Sequence, residues 1–268
     1  MKSFPKLWLI IGLILIGIVI GGAFWFKANS KPTPEAAPVA KKKLSLPLNV
    51  IPETDRPFVR VEPLADGKNV VIKVLELKKA ATEAEYELEY QAGSLLQGAF
   101  GNIKLDKIPS ETKLLLGSCS AGGACTYHTD VQGGSLLMRY TGPESFALKT
   151  DWKYIENKTK ETAFSSKDGK FQISSPALAK SKLLIIFNSP GYPADPKAPI
   201  VSDHYSLAFA VPVTDKLKLS IRAKEEGKLT IQGWNGQSWV SFPTTIAKDD
   251  AKMAQAEVEP MALYLVTK

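Results

Sequence analysis

Reactive side chains are scarce in this chain: 268 residues include two histidines, His128 and His204, and two cysteines, Cys119 and Cys125. Cys119, Cys125 and His128 supply three metal ligands with no fourth nearby, which is short of a closed zinc tetrahedron, so no metal or other cofactor is expected. No G-x-S-x-G elbow is present either. Asp203-His204 beside Ser202 or Ser206 has the letters of a hydrolase triad, but triad members meet through the fold, and such letters in a Pro-rich loop more often close turns and cap strands. A cysteine peptidase or transpeptidase of the membrane-anchored kind would draw on Cys119, His128 and Arg139. In such enzymes the histidine precedes the cysteine, and none lies upstream of Cys119.

An excess of positive charge is also missing where it would matter. The formal net charge is +7, yet residues 1 to 43 hold seven lysines against the single acid Glu35. Removing these from the 34 basic and 27 acidic residues of the chain leaves 27 and 26, so the remainder is nearly neutral. A nucleic-acid binder needs clustered cations to displace phosphate counterions, and no nucleic-acid partner is expected.

Long apolar runs are absent except once. Residues 7 to 26 read LWLIIGLILIGIVIGGAFWF without a charge, and at about 1.5 Å per residue this run matches a hydrocarbon core of about 30 Å. Trp8 and Trp25 stand near its ends, where indoles favour the interface. A cleaved signal peptide would have a shorter apolar region and a small-x-small site, so an uncleaved signal anchor over 7–26 is expected, behind a tail of residues 1–6. Gly17 and Gly21 form a GxxxG pattern that is one route to a homodimer. Orientation draws on opposed arguments. Lysines after the helix lean toward a cytoplasmic body, whereas a six-residue tail ordinarily stays inside while the long remainder is exported. Export to the extracytoplasmic side of the cell membrane is the expectation, N-terminus inside.

The cysteines bear on that choice. Cys119 and Cys125 are separated by Ser-Ala-Gly-Gly-Ala, the spacing of two strand ends joined by a short turn. In an oxidising compartment they close a small disulfide loop, and in a reducing one they merely lie close.

Beyond the apolar run, residues 27–56 are rich in proline and lysine, with no apolar period, and read as a solvated linker that includes the triplet Lys41 to Lys43. From Phe58 the period becomes two. Glu85-Tyr86-Glu87-Leu88-Glu89-Tyr90 alternates as a half-buried strand must. Similar runs recur between turn signals such as Asp66-Gly67, Gly122-Gly123, Gly133-Gly134 and Gly142-Pro143. The polar stretch from Glu156 to Asp168, which holds the sequon Asn157-Lys158-Thr159, interrupts the pattern. Strand-like runs then resume, among them Leu183 to Asn188, Tyr205 to Val211 and Leu217 to Arg222. Ala80 to Ala84 and Lys248 to Ala256 allow short helical turns. The fold class expected is all-β: one transmembrane helix followed by two β-sandwich domains, 57–156 and 170–268, joined by a linker over 157–169.

The C-terminal segment from Gly227, GKLTIQGWNGQSWVSFPTTI and then AEVEPMALYLVTK, resembles the closing strands of immunoglobulin-like and ZU5-like modules of surface proteins. That resemblance implies a β-sandwich serving as spacer or interaction module.

Within this segment Asn235-Gly236 marks a hairpin. A two-residue turn there sets Trp234 opposite Gln237 and Gln232 opposite Trp239, so these four share one face with Thr230 and Ser241, while Leu229, Ile231, Val240 and Phe242 share the other. Two indoles flanked by amides suit stacking on sugar rings or gripping a partner chain. The competing reading covers the same face with the first domain or with the Pro-rich loop from Ser189 to Pro199, making the rings ordinary packing. Together these features point to a non-enzymatic binding or scaffolding protein at the cell surface with a glycan or protein partner. The alternatives are an extracytoplasmic enzyme of peptidase or transpeptidase type and a structural subunit of an envelope complex.

Overall fold

A computed structural model describes residues 46–268. The expected membrane anchor 7–26, Gly17, Gly21 and Lys41 to Lys43 lie outside the described residues, among which no helix is long and apolar enough to cross a membrane. The described residues form one compact unit, Leu46–Lys268. They are all-β, with no α-helix and only two 3-10 turns, Glu53–Asp55 and Pro176–Lys180.

The strands in chain order are β1 (Phe58–Pro63), β2 (Asn69–Glu76), β3 (Glu83–Ala92), β4 (Leu95–Lys104), β5 (Ser110–Leu115), β6 (Gly117–Cys119), β7 (Cys125–Tyr127), β8 (Val131–Thr141) and β9 (Phe146–Glu156). They continue as β10 (Ala163–Ser165), β11 (Phe171–Ser174), β12 (Leu183–Ser189), β13 (His204–Phe209), β14 (Leu217–Arg222), β15 (Thr230–Trp234), β16 (Trp239–Ser241), β17 (Thr245–Ala247), β18 (Asp250–Val258) and β19 (Leu263–Thr267). The segments that allowed helical turns are largely extended: β3 takes in Glu83 and Ala84, and β18 begins at Asp250. Cross-strand pairing overrides local propensity there, because β18 is clasped by β14 on one side and β17 on the other.

A nine-stranded antiparallel sheet, in the order β16-β15-β19-β13-β12-β9-β8-β3-β4, runs through the whole body. It crosses the segment where the sequence places a linker, since β9 and β12 pair directly from Leu183 opposite Glu156 to Phe187 opposite Trp152. Residues 157–169 between them hold a loop and the short β10. Two smaller sheets, β1-β2-β5 and β10-β11-β14-β18-β17, complete the layers, with the small hairpin β6-β7 apart.

The placement of the layers follows from β12. Leu183, Ile185 and Phe187 belong to a core with Val59, Val61, Val70, Ile72 and Val74 of β1 and β2, whereas Leu184 and Ile186 belong to another with Phe171, Ile173, Leu217, Leu219 and Ile221. Successive side chains of a strand point to opposite faces. The three-stranded sheet therefore covers one face of the long sheet and the five-stranded sheet covers the other, and both meet at β12. This accounts for the unbroken apolar run Leu-Leu-Ile-Ile-Phe, since a strand covered on both faces has no polar face to alternate with.

Polar contacts fix β1 against the long sheet: Arg60 donates to Ser206 Oγ at 3.2 Å and to the Leu207 carbonyl at 3.3 Å, and pairs with Glu62 at 2.8 Å. Because Ile185 and Ile186 are both fully buried in different cores, Ile185→Ala and Ile186→Ala are each expected to cost about 2–5 kcal/mol in urea denaturation. A near-neutral result for either one would mean that its face of β12 is not packed.

Candidate functional site

The tryptophan hairpin forms, one step away from the expected register. Trp234 stands opposite Trp239 and Gln232 opposite Ser241, with Gly236 and Gln237 rather than Asn235 and Gly236 at the tip of the turn. Asn235 determines this, because its Oδ1 accepts from the backbone of Gln237 and of Ser238, both at 2.9 Å, and its N–H donates to the Ser238 carbonyl. Gly236 takes the positive φ of 103°. The shift preserves parity, so Gln232, Trp234 and Trp239 still share a face, while Gln237 sits exposed in the turn.

That face is not an open platform. Leu263 and Leu265 of β19 lie on it with Phe58 and Tyr192, and both indoles pack against this small core at ring centroids 5.4 Å apart. Trp239 Nε1 donates to the Ala194 carbonyl at 2.8 Å, within the Pro-rich loop. Gly191 lets the loop lie this close, since a Cβ there would meet the Arg56 carbonyl at 2.4 Å. Gln232 is buried and its amide donates to Thr267 Oγ1 at 2.9 Å. The opposite face, with Leu229, Ile231 and Phe242 buried, is core as expected.

Cys119 and Cys125 stand opposite each other across β6 and β7 and are joined in a disulfide. Tied in this way neither sulfur offers the thiolate that cysteine chemistry requires. His128 Nδ1 is 2.9 Å from the Tyr90 hydroxyl, and Arg139 pairs with Glu85 at 3.3 Å and Glu87 at 3.1 Å on the neighbouring strand. Each of the three is engaged in a different local contact.

The second histidine is more unusual. His204 is 3% exposed, and its Nε2 has no hydrogen-bond partner among the described residues, with Glu53 Oε2 at 3.6 Å. Lys224 bridges Glu53 at 3.0 Å and Asp203 at 3.4 Å, and Asp203 also binds Lys170 at 2.9 Å. Burial pushes His204 down to about 4 and outweighs the pull of Glu53 and Asp203. Ser202 donates to the Asp203 carbonyl and accepts from the Val266 N–H, and the Ser206 hydroxyl accepts from Arg60. Neither serine is hydrogen-bonded to the imidazole, so the triad letters serve packing.

A groove that the sequence did not disclose lies where the chain leaves β9. About 600 Å³ in volume, it is lined by Gln132 and Gly133 of β8, Lys153 and Tyr154 of β9, the loop from Asn157, and Phe164 of β10. The loop is held from beneath by Asn157, whose amide donates to the Glu161 and Leu178 carbonyls at 3.0 and 2.9 Å and whose Oδ1 accepts from the Glu161 N–H at 2.8 Å. The acceptor nitrogen of the sequon is thus engaged in a buried side chain. Gly133, at φ 94°, faces the Trp152 carbonyl at 2.4 Å from where a Cβ would stand. On the rim Lys158 binds Asp130 and Glu156, and Lys167 binds Asp151. Lys153 and Gln132 have no side-chain hydrogen bond or ion pair among the described residues, so the groove combines two uncommitted polar groups with the half-buried Phe164 ring. Only the separate polar and aromatic letters exist in the sequence, which does not bring β8, β9 and β10 together.

Comparison with protein-family models, with curated proteins and with solved structures finds no match to this chain.

Two outcomes are expected. Trp239→Ala should lower stability by about 1–3 kcal/mol, since it removes packing and orphans the Ala194 carbonyl, as read by urea denaturation. For His204, the unfolded ring binds a proton near the ordinary imidazole value of 6.5 while the folded ring does not until about 4. Its contribution is whole above 6.5 and is lost as pH falls through that window, by at most about 1.4 kcal/mol per pH unit. His204→Gln should flatten this part of the stability profile, and an unchanged slope would assign the acid sensitivity to other groups.

Proposed function

We propose that the chain is a membrane-tethered, non-enzymatic binding protein whose β body faces the extracytoplasmic side and holds a polar ligand in the groove beside β9. The apolar run at 7–26 supports the tether, and the oxidised pair Cys119–Cys125 supports an oxidising compartment. On this reading the two cores correspond to two sandwiches of immunoglobulin-like kind that share strands of one long sheet.

The single observation that carries the binding role is the open groove of about 600 Å³ with Lys153 and Gln132 uncommitted. Lys153, Gln132 and Phe164 in its lining favour a ligand that offers hydroxyls and a carboxylate, the chemistry of an acidic glycan: the ammonium meets the carboxylate, the amide meets hydroxyls, and the Phe164 ring meets the apolar face of a sugar. The tryptophan pair then acts as scaffolding that anchors the Pro-rich loop.

Titration calorimetry with a uronic-acid oligosaccharide and with a neutral oligosaccharide of equal length tests the proposal. Binding of the acidic ligand is expected, with Lys153→Ala weakening it about 10- to 100-fold and Gln132→Ala less, at unchanged melting temperature. Equal heats for the two oligosaccharides, or an affinity indifferent to Lys153→Ala, would remove the groove from the function. Exposure of the body is tested separately by adding protease to intact cells, where cleavage of residues 46–268 is expected.

A further inference from the structure

The long sheet ends differently on its two sides. At one end lies β16, three residues long and packed through Trp239. At the other lies β4, ten residues long, with β3 as its only strand partner among the described residues. The remaining outer strands are brief, as β10 and β17 are with three residues each, or charged, as β1 is with Arg60 and Glu62 and β5 with Glu111 and Lys113. Short length and charge are the usual protections of a sheet edge. β4 has neither. From Gly93 to Ile103 the sequence GSLLQGAFGNI contains no charge, and Leu95, Leu96 and Phe100 are 62%, 68% and 83% exposed.

The hydrogen-bonding direction of β4 is defined. Leu105 N–H donates to the Thr82 carbonyl, inward toward β3, while the Lys104 carbonyl turns away and accepts from the Ser110 hydroxyl at 2.7 Å. Alternation along the strand directs the N–H and C=O groups of the even-numbered residues Leu96, Gly98, Phe100 and Asn102 toward the open edge.

We propose that this edge pairs with the same edge of a second copy of the chain, antiparallel and two-fold symmetric about Gly98. In that register Leu96 lies opposite Phe100 of the second copy, and the reverse, while the two glycines meet on the axis and leave room for the rings to lie across them. The outward backbone groups of Leu96, Gly98 and Phe100 all find partners. A register centred on Phe100 instead brings Lys104 into the ladder, where its carbonyl is already taken by Ser110.

Charge does not oppose a like partner. On the exposed face of β3, Glu83, Glu85, Glu87 and Glu89 stand beside Lys104, Asn102, Phe100 and Gly98. Arg139 binds Glu85 and Glu87, and Lys149 binds Glu89 at 3.5 Å. A second copy places its own row three strand spacings away, about 14 Å, beyond the screening length of about 8 Å at physiological salt. No like charges are brought opposite one another in the new pair. Two ten-residue edges bury less than about 1,200 Å², so the association belongs to the weak, reversible class.

Sedimentation of the full chain in detergent across the micromolar range tests this, with disulfide trapping as a second readout. The wild type is expected to self-associate reversibly, and the double variant Leu96→Lys/Phe100→Lys, at exposed positions, to do so about tenfold or more weakly with an unchanged melting temperature. Gly98→Cys should form a reductant-sensitive dimer under mild oxidation, because opposed Cα atoms lie about 5.5 Å apart. Phe100→Cys should not, its symmetric copy being about 14 Å away. A wild type that stays monomeric, a dimer that survives both lysines, or trapping of Phe100→Cys in place of Gly98→Cys would each overturn the proposal.

Discussion

Burial of β12 on both faces is the constraint around which this body is arranged. A strand with Leu183, Ile185 and Phe187 in one core and Leu184 and Ile186 in another cannot sit at the surface of either layer. It has to lie inside a sheet that is itself covered above and below. The nine-stranded sheet supplies the hydrogen-bond partners, and the two smaller sheets supply the covers. Each cover needs only one apolar face of its own, which is why β1, β11 and β14 can be short and alternate with polar residues on the outside.

With covers that do not span the full width of the sheet, the flanks must be closed by other means. On the β15 and β16 side this is done with aromatic and polar contacts: the indole pair, the Pro-rich loop bound through Ala194, and the Gln232 to Thr267 hydrogen bond. His204 and its ring of carboxylates and lysines lie in the same region, where the segment around Glu53 folds against β13. A neutral imidazole beside Glu53 is tolerated because Lys224 balances that carboxylate. On the β4 side no loop among the described residues covers the edge, and Leu95, Leu96 and Phe100 are exposed. The groove beside β9 arises from the same geometry, since the chain must loop outward after Glu156 to place β10 and β11 on the opposite face of the sheet.

These features separate two kinds of surface. Contacts at the hairpin are satisfied within the chain, and the carboxylates and lysines around His204 pair with one another, so their chemistry is used in holding it together. At the groove and along β4, side chains or backbone groups remain uncommitted: Lys153 and Gln132 in one case, the outward N–H and C=O groups of an uncharged strand in the other. Uncommitted groups in a defined geometry are what an intermolecular contact requires.

The sequence by itself determined the all-β class and most strand positions, because period-two alternation and turn residues are local properties of the chain. It also gave the opposition of Cys119 and Cys125 and the shared face of Trp234 and Trp239, both of which depend only on hairpin parity. Whether that face was bare or covered depended on a loop some forty residues away, and the half-buried rings of Trp234 and Trp239 and the buried Gln232 follow from its position. The polar stretch after Glu156 resembled a linker because polarity marks any loop, while continuity of the sheet from β9 to β12 is a long-range pairing that leaves no local trace. Only the tertiary structure could decide which face each core occupied, which strand ended the sheet uncovered, and which of many lysines and glutamines converged on a groove, since each of these depends on contacts between residues distant in the chain.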